Sequence, residues 1–260
     1  MKWWKNFWLT RKQNDRVKIQ LICFLLGIIC FSLGFYHSVQ LYQLLHSPVE
    51  YILSGSDSPE KLSMQIEEIE KLEYVEAVSR QKEKNIDITC KTGTISLPCI
   101  EVSKEYLESA YGLTDAETMK VIYLNEAAYE HLQRECQSNY GGSGLMDNWQ
   151  AGYSMGEGEQ GMAKLVVAKS LPGDSPCVFV SGTSLELKKN SSQIRVRLQY
   201  QDLGGIQIQE LQETGVVIIN SEQIEKNQLL LNIQMIQARD WLIIGCICLL
   251  FTAILKKYGK

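Results

Sequence analysis

Ile19–Tyr36 reads IQLICFLLGIICFSLGFY, and no Asp, Glu, Lys or Arg occurs between Ile19 and Val49. A bilayer-crossing helix needs about 20 apolar residues, each adding about 1.5 Å. The stretch therefore predicts a transmembrane helix over 19–42. Ahead of it, Trp3, Trp4, Phe7 and Trp8 interleave with Lys2 and Lys5. Aromatic and basic side chains together suit the headgroup layer, which predicts a short interfacial helix over 2–10. A cleaved signal peptide is the rival reading of a basic start and an apolar run. The run is longer than a usual signal core, and His37, Gln40, Tyr42 and Gln43 stand where a small-x-small cleavage site belongs. The segment reads as an uncleaved anchor.

The other end mirrors this one. Trp241–Leu255 (WLIIGCICLLFTAIL) lies between Asp240 and Lys256. It gives about 22 Å of helix against a hydrocarbon core of about 30 Å. Snorkelling of Lys256 and Lys257, with Trp241 in the interface, closes the gap. The reading is a second transmembrane helix over 239–255, continuing a stalk helix from about residue 222. Leu229, Leu230, Ile233 and Ile236 share one broad face of that stalk. A buried soluble helix is the alternative.

Charge gives the orientation. The whole chain carries −4, residues 1–18 carry +5 and residues 256–260 carry +3, which leaves −12 for the residues between. Basic ends stay in the cytoplasm by the positive-inside rule. Residues 1–18 and 256–260 are then cytoplasmic, and 43–238 form one acidic extracytoplasmic domain. The acidic middle argues against nucleic acid as a partner, because a binder carries its basic face on its folded part. Membrane lipid is the partner that the ends imply.

Small residues form a stripe on each span: Cys23, Gly27, Cys30 and Gly34 on the first, Gly245, Cys248 and Thr252 on the second. Such stripes let helices approach closely in lipid. These residues are the candidates for helix packing, against each other or against a partner's helices.

Within the domain, Leu44–Pro59 reads as a linker. Ser58 and Pro59 then open an amphipathic helix with Leu62, Ile66, Ile69 and Leu72 on its apolar face. Strands are predicted at Val75–Ser79, Ile86–Cys90 and Ile95–Val102, with a turn at Lys91–Thr94. Ser103–Tyr111 reads as a helix stopped by Gly112. A strand at Val121–Leu124 leads to a helix over Glu126–Cys136 capped by Asn125. Residues 137–161 hold seven glycines and read as a long loop. Further strands are predicted at Leu165–Ala168, Cys177–Val180, Ile194–Tyr200 and Val216–Ile219. The class is α+β, a mixed domain between two membrane helices.

Motifs for chemistry are absent. There is no His-rich ligand spacing, no nucleophile elbow and no P-loop, so no catalytic residue, metal site or cofactor is expected. Of eight cysteines, Cys23, Cys30, Cys246 and Cys248 lie in the spans; Cys90, Cys99, Cys136 and Cys177 lie outside, where three pairings are open. Cys90 and Cys99, flanking the turn at Gly93, are the nearest pair. Asn190-Ser-Ser forms a glycosylation sequon.

Three stretches resemble the MacB/FtsX-type ABC transporter permeases, in the order found there. Ile66–Ser79 (IEEIEKLEYVEAVS) resembles the helix-then-strand opening of their core domain. Val102–Leu113 (VSKEYLESAYGL) resembles their V-S-x-x-Y segment, and Val121–Leu132 (VIYLNEAAYEHL) their Leu-Asn-Glu-x-Ala strand and helix. The resemblance implies a MacB-like periplasmic core domain, with a mixed-sheet porter-like part and a more variable lobe. It also implies mechanotransmission, in which a separate ABC ATPase drives stalk helices that carry movement outward. Those permeases have four spans and grip the ATPase through a loop between the second and third. Two spans here imply a subunit working with a multi-span permease, a self-dimer, or a derivative that keeps only the domain. The competing reading is a stand-alone anchored binding or sensor protein; the empty motif search disfavours an ectoenzyme.

Overall fold

The structure is a computed structural model. It describes residues 2–90, 93–114, 120–137, 150–155, 159–173, 175–182, 192–202 and 205–258, with side chains for all of these except 2–14, 16, 90, 136, 137, 150 and 258. The sequon at Asn190, and residues 138–149 and 156–158 of the glycine-rich stretch, lie outside the described residues. The chain divides into two compact units. One is Met1–Ser47, Tyr200–Gly205 and Ser221–Lys260; the other is Pro48–Gln199 and Ile206–Asn220.

The first unit is built on two long helices, α1 (Lys2–Leu45) and α6 (Ser221–Tyr258). Both are long and apolar enough to cross a membrane, over Val17–Leu45 and Ser221–Lys257. Residues 2–10 are the first turns of α1 and form no separate helix; helix-forming side chains run through 11–18 with no Gly or Pro to break it. The helices run antiparallel. A Cβ at Gly27 would meet the Leu249 side chain at 2.9 Å, one at Gly34 would meet Leu242 at 2.7 Å, and one at Gly245 would meet the Phe31 backbone nitrogen at 2.9 Å. Cys23, Gly27, Cys30, Gly34, His37, Leu41 and Leu44 are buried or half-buried at alternating spacings of four and three. On α6, Ile224, Leu231, Ala238, Gly245 and Thr252 recur every seven residues on the covered side. That repeat is the signature of two helices wound about each other. Among the remaining contacts, His37 Nδ1 lies 2.9 Å from Gln234 Oε1. The last turn of α1 leaves carbonyls without helical partners. Gln201 fills two of them, its backbone N–H donating to Leu45 O (2.8 Å) and its side chain to Leu44 O (3.3 Å).

The second unit contains two β systems that share one strand. β1 (Val49–Ser54), β2 (Val75–Cys90), β8 (Gln193–Leu198) and β9 (Val217–Ile218) form an antiparallel sheet in the order β2–β8–β1–β9. Only the first half of β2, Val75–Gln81, belongs to it. One face carries Tyr51, Leu53, Ile194 and Val196, buried under α2 (Pro59–Glu70) and α5 (Ile206–Glu213). Arg80 Nη2 donates to Pro59 O and Ser63 Oγ of α2. Gln65 of α2 donates to Thr214 O and Gly215 O beyond α5. Ser58 occupies the cap position of α2 but its hydroxyl makes no capping bond; Pro59, which has no N–H to satisfy, begins the helix.

The second half of β2 turns into a ring. β2 pairs β3 (Gly93–Ser103), β3 pairs β7 (Val178–Gly182), β7 pairs β4 (Lys120–Leu124), β4 pairs β6 (Glu159–Val167), β6 pairs β5 (Gln150–Met155), and β5 returns to β2. A six-stranded barrel closes, which removes exposed edges. Its core holds Ile86, Ile88, Leu97, Cys99, Ile122, Leu124, Ala151, Met155, Ala163, Leu165, Val178 and Val180. Ala128 and Leu132 of α4 (Glu126–Gln137) join that core. The outer wall packs on α3 (Lys104–Tyr111), where Val102, Tyr106, Leu107, Tyr111, Val121 and Phe179 form a second core with Ala77 of the open sheet. Ser103 caps α3 by accepting from Tyr106 N–H (3.2 Å), and Gly112 ends it in the left-handed region at φ 68°.

Four further expectations are corrected. Leu44–Pro59 is no linker: its middle is β1, whose alternation is disguised by Glu50 and Ile52 on the second face. Val75–Ser79 and Ile86–Cys90 are one strand of 16 residues. The stretch 137–161 is not all loop: 150–155 and 159–161 belong to the β5–β6 hairpin, where Tyr153 lies opposite Gly161 and covers it. The Cys90–Cys99 bridge does not form. The hairpin register puts Cys90 opposite Gly93 and Cys99 opposite Lys84, roughly 20 Å apart along the strand, beyond the reach of a disulfide. Cys99 is a buried free thiol.

Gly245→Leu meets backbone where Gly27→Leu meets only a side chain. It is expected to cost more, within the 1–3 kcal/mol typical of overpacking (about 2 kcal/mol), read as the larger drop in thermal midpoint of the full chain in detergent.

Candidate functional site: one carboxylate between two arginines and two tyrosines

The second face of the open sheet is polar where a core would be apolar. The register aligns Glu50 with Arg197 and Ile52 with Arg195, and Ala77 and Ser79 of β2 with the same two arginines. Strand alternation then sends Glu50, Arg195 and Arg197 to one side. α3 covers that side with Tyr106 and Tyr111, and β7 contributes Phe179.

The Glu50 carboxylate is the common acceptor. Arg195 Nη1 reaches Oε2 at 2.6 Å; Tyr111 hydroxyl donates to Oε1; Tyr106 hydroxyl lies 3.4 Å from Oε1, and Arg197 Nη1 3.7 Å. Arg195 Nε donates to Gln81 Oε1 at 2.6 Å, and Arg197 Nε to Glu76 at 2.8 Å. The guanidiniums also lie over rings, Arg195 at 5.2 Å from the Phe179 centroid and Arg197 at 5.2 Å from Tyr111. Two acids thus balance two bases. Tyr106 is 1% exposed and Arg195 5%. Burial, then the neighbouring Glu50 charge, pushes both tyrosine hydroxyls well up, so they stay protonated and donate. Burial works against the Arg195 charge, but Glu50 and the two tyrosines outweigh it and hold its pKa above the ordinary value.

A second buried pair lies in the barrel. Lys84 Nζ is 2.5 Å from Glu101 Oε2, and a Cβ at Gly182 would strike that carboxylate at 2.6 Å, so glycine leaves it room. Cys99 sits nearby with its Sγ 3.8 Å from Met155 Sδ. Burial, then the Glu101 charge, pushes its thiol up to about 12. A shallow depression of about 410 Å³ beside it is lined by Glu83, Lys84, Asn85, Pro98, Cys99 and Ile100.

Asn125 is a third fixed point. It is fully buried. Its Oδ1 accepts from Ala128 N–H at 2.8 Å, capping α4, and from Cys177 N–H at 3.2 Å; its Nδ2 donates to Pro172, Gly173 and Ser175 carbonyls. One amide therefore holds the helix start and the loop before β7.

Of the residues singled out in the sequence, the structure places Gly27, Cys30 and Gly34 of α1 in buried positions facing α6, with Gly245 and Cys248 against Gly27. Cys23 and Thr252 are half-buried, and Thr252 Oγ1 donates to Cys248 O of its own helix (2.8 Å). The Glu50 centre went unnoticed in the sequence. Its one local trace is the alternation Arg195-Val196-Arg197, two charges on one face of a strand whose other face is apolar.

No protein-family model matches the chain, and no curated protein sequence matches it either. Among solved structures it is similar to the periplasmic region of MacB from Actinobacillus actinomycetemcomitans, with 13% identity and a TM-score of 0.42, covering 71% of this chain and 94% of that one. It is also similar to the extracellular domain of the noncanonic ABC-type transporter YknZ from Gram-positive bacteria, with 12% identity and a TM-score of 0.34, covering 67% and 100%. The likeness is distant and shows no family membership. The mixed α/β class rests on the strands and helices described above.

Glu50→Ala leaves two cations facing each other under α3 and is expected to cost about 3–5 kcal/mol. Tyr111→Phe removes a single donor and costs about 1–2 kcal/mol. Urea midpoints of the full chain in detergent give both. A second prediction concerns pH. The Cys99 thiol is harder to ionise folded than unfolded, so its contribution to stability is complete below about 9 and declines as pH rises towards about 12. Replacing Cys99 by Ser or Ala flattens that part of the pH–stability curve.

Proposed function

We propose that this chain is a non-catalytic membrane subunit of an ABC-type export or mechanotransmission assembly of the MacB/FtsX kind, presenting its acidic domain outside the cytoplasm. The observation that carries the proposal is how the two long helices join the sheet. α1 leads directly into β1, and β9 leads directly into α6. β1 and β9 are antiparallel neighbours, and Asn220 bridges them: its Oδ1 accepts from Ile52 N–H at 2.9 Å and its Nδ2 donates to Glu50 O at 3.0 Å. Force along either helix is therefore delivered through the chain into the same pair of strands, beside the Glu50 centre. A helix is stiff along its axis, which suits this role.

The topology assigned to the protein follows from charge: both basic ends inside, the −12 middle outside. The names of the two similar structures, a periplasmic region and an extracellular domain of transporters, agree with this reading.

Copurification tests the assembly. A tagged chain extracted in mild detergent is expected to bring with it an ABC ATPase and a multi-span permease; recovery of neither overturns the assembly. The orientation is checked separately by fusing green fluorescent protein after Lys260, which fluoresces when that end is cytoplasmic.

A further inference from the structure

β2 changes partners in mid-strand. Val75–Gln81 pairs with β8, and Lys82–Cys90 pairs with β3. The junction Gln81–Lys82 therefore carries continuous backbone from the open sheet into the barrel. The two also meet across a seam under α3. α3 belongs to the barrel side of that seam. It continues β3, its Leu107 and Tyr111 share a core with Val102, Val121 and Phe179, and the Ser170 hydroxyl donates to Tyr111 O at 3.1 Å.

Each side of the seam is consistent in itself. On the sheet side Glu50 and Glu76 balance Arg195 and Arg197, with Arg195 on Glu50 at 2.6 Å and Arg197 on Glu76 at 2.8 Å. On the barrel side the rings of Tyr106, Tyr111 and Phe179 pack edge to face, with successive centroids 5.9 and 5.7 Å apart. The contacts that cross include two tyrosine hydroxyls on Glu50, the Ser103 N–H donating to Ser79 Oγ at 2.8 Å, and ring faces under guanidiniums. Among the described residues, Ala77 is the one buried member that the open sheet lends to the core beneath α3. Parting the seam leaves both carboxylates and both guanidiniums paired. The hydroxyls and the N–H exchange their partners for water, and the wetted apolar surface is that of three ring faces and a methyl group. Such an opening exposes far less than unfolding does, and costs correspondingly less.

We propose that this seam is a latch. α3 and the barrel swing as one body away from the open sheet about the Gln81–Lys82 junction, uncovering Tyr106 and Tyr111, and the tyrosine–Glu50 bonds hold the closed arrangement. The inference rests on contacts within this unit and holds with or without a transporter partner, so it survives a failed copurification.

The test treats the full chain in detergent with N-acetylimidazole, which acetylates tyrosine hydroxyls that reach solvent, and follows each tyrosine by peptide mass spectrometry. Tyr51, 3% exposed on the opposite face of the open sheet, is the reference for unfolding; Tyr106 is 1% exposed. Tyr106 is expected to react about thirty-fold faster than Tyr51 or more. Its rate climbs less steeply with urea below the unfolding transition, because the slope follows the surface exposed. Ile122→Val, inside the barrel, weakens the fold as a whole: it raises Tyr51 acetylation about five-fold and leaves Tyr106 nearly unchanged. Tyr111→Phe removes a latch bond and raises Tyr106 acetylation about five- to thirty-fold. Equal rates for Tyr106 and Tyr51 in wild type, matching urea slopes, a parallel rise of both in Ile122→Val, or no rise of Tyr106 in Tyr111→Phe overturns the proposal.

Discussion

The sheet-bearing unit depends on one unfavourable act, the withdrawal of most of the Glu50 carboxylate from water. A carboxylate under a helix is destabilising unless its oxygens are filled. Filling them takes two arginines from β8 and two hydroxyls from α3, so the open sheet, the helix and the barrel wall must all be in place together. The apolar contacts around Phe179 and Ala77 supply most of the burial, but many arrangements would satisfy them. The carboxylate accepts only one. It therefore defines how the sheet that continues both long helices meets the barrel.

The two long apolar helices meet a different constraint. In lipid there is no hydrophobic gain from helix–helix contact, so close packing decides. Gly245 lets α6 approach the Phe31 backbone directly, and the seven-residue recurrence from Leu231 to Thr252 keeps one side of α6 turned to α1. The small residues lie at the middle of the pair. Leucines take over towards the end of α1 and the start of α6, at Leu41, Leu44 and Leu231.

Elements held by local rules were readable in the sequence. α2, α3 and α4 announce themselves by a 3.6-residue apolar period and by Pro59, Ser103, Asn125 and Gly112 at their ends. The two long helices are marked by the absence of charge. What escaped depends on residues distant in the chain. β1 was hidden because Glu50 finds its partners at 195 and 197. α5 was missed because Ile206-Gln207-Ile208-Gln209 alternates like a strand; in the structure Gln207 and Leu211 are buried and Ile206 is 62% exposed. The barrel was missed because its ring is closed by parallel pairs, Cys99 with Val178 and Ile122 with Leu165, that no local pattern announces. The Glu50 centre belongs to the same class: its members come from four strands and a helix.

The sharing of β2 between two sheets also sets an order of events during biosynthesis. β2 and β3 form a hairpin as soon as both have emerged. β1 and the first half of β2 cannot pair with each other, because β8 lies between them. Both wait for a strand made near the end of the chain, and β1 waits for β9 as well. For most of translation the earliest strand stays without a sheet, tethered to α1. Loop closure over such separations is slow, so the open sheet is the last part of the domain to assemble.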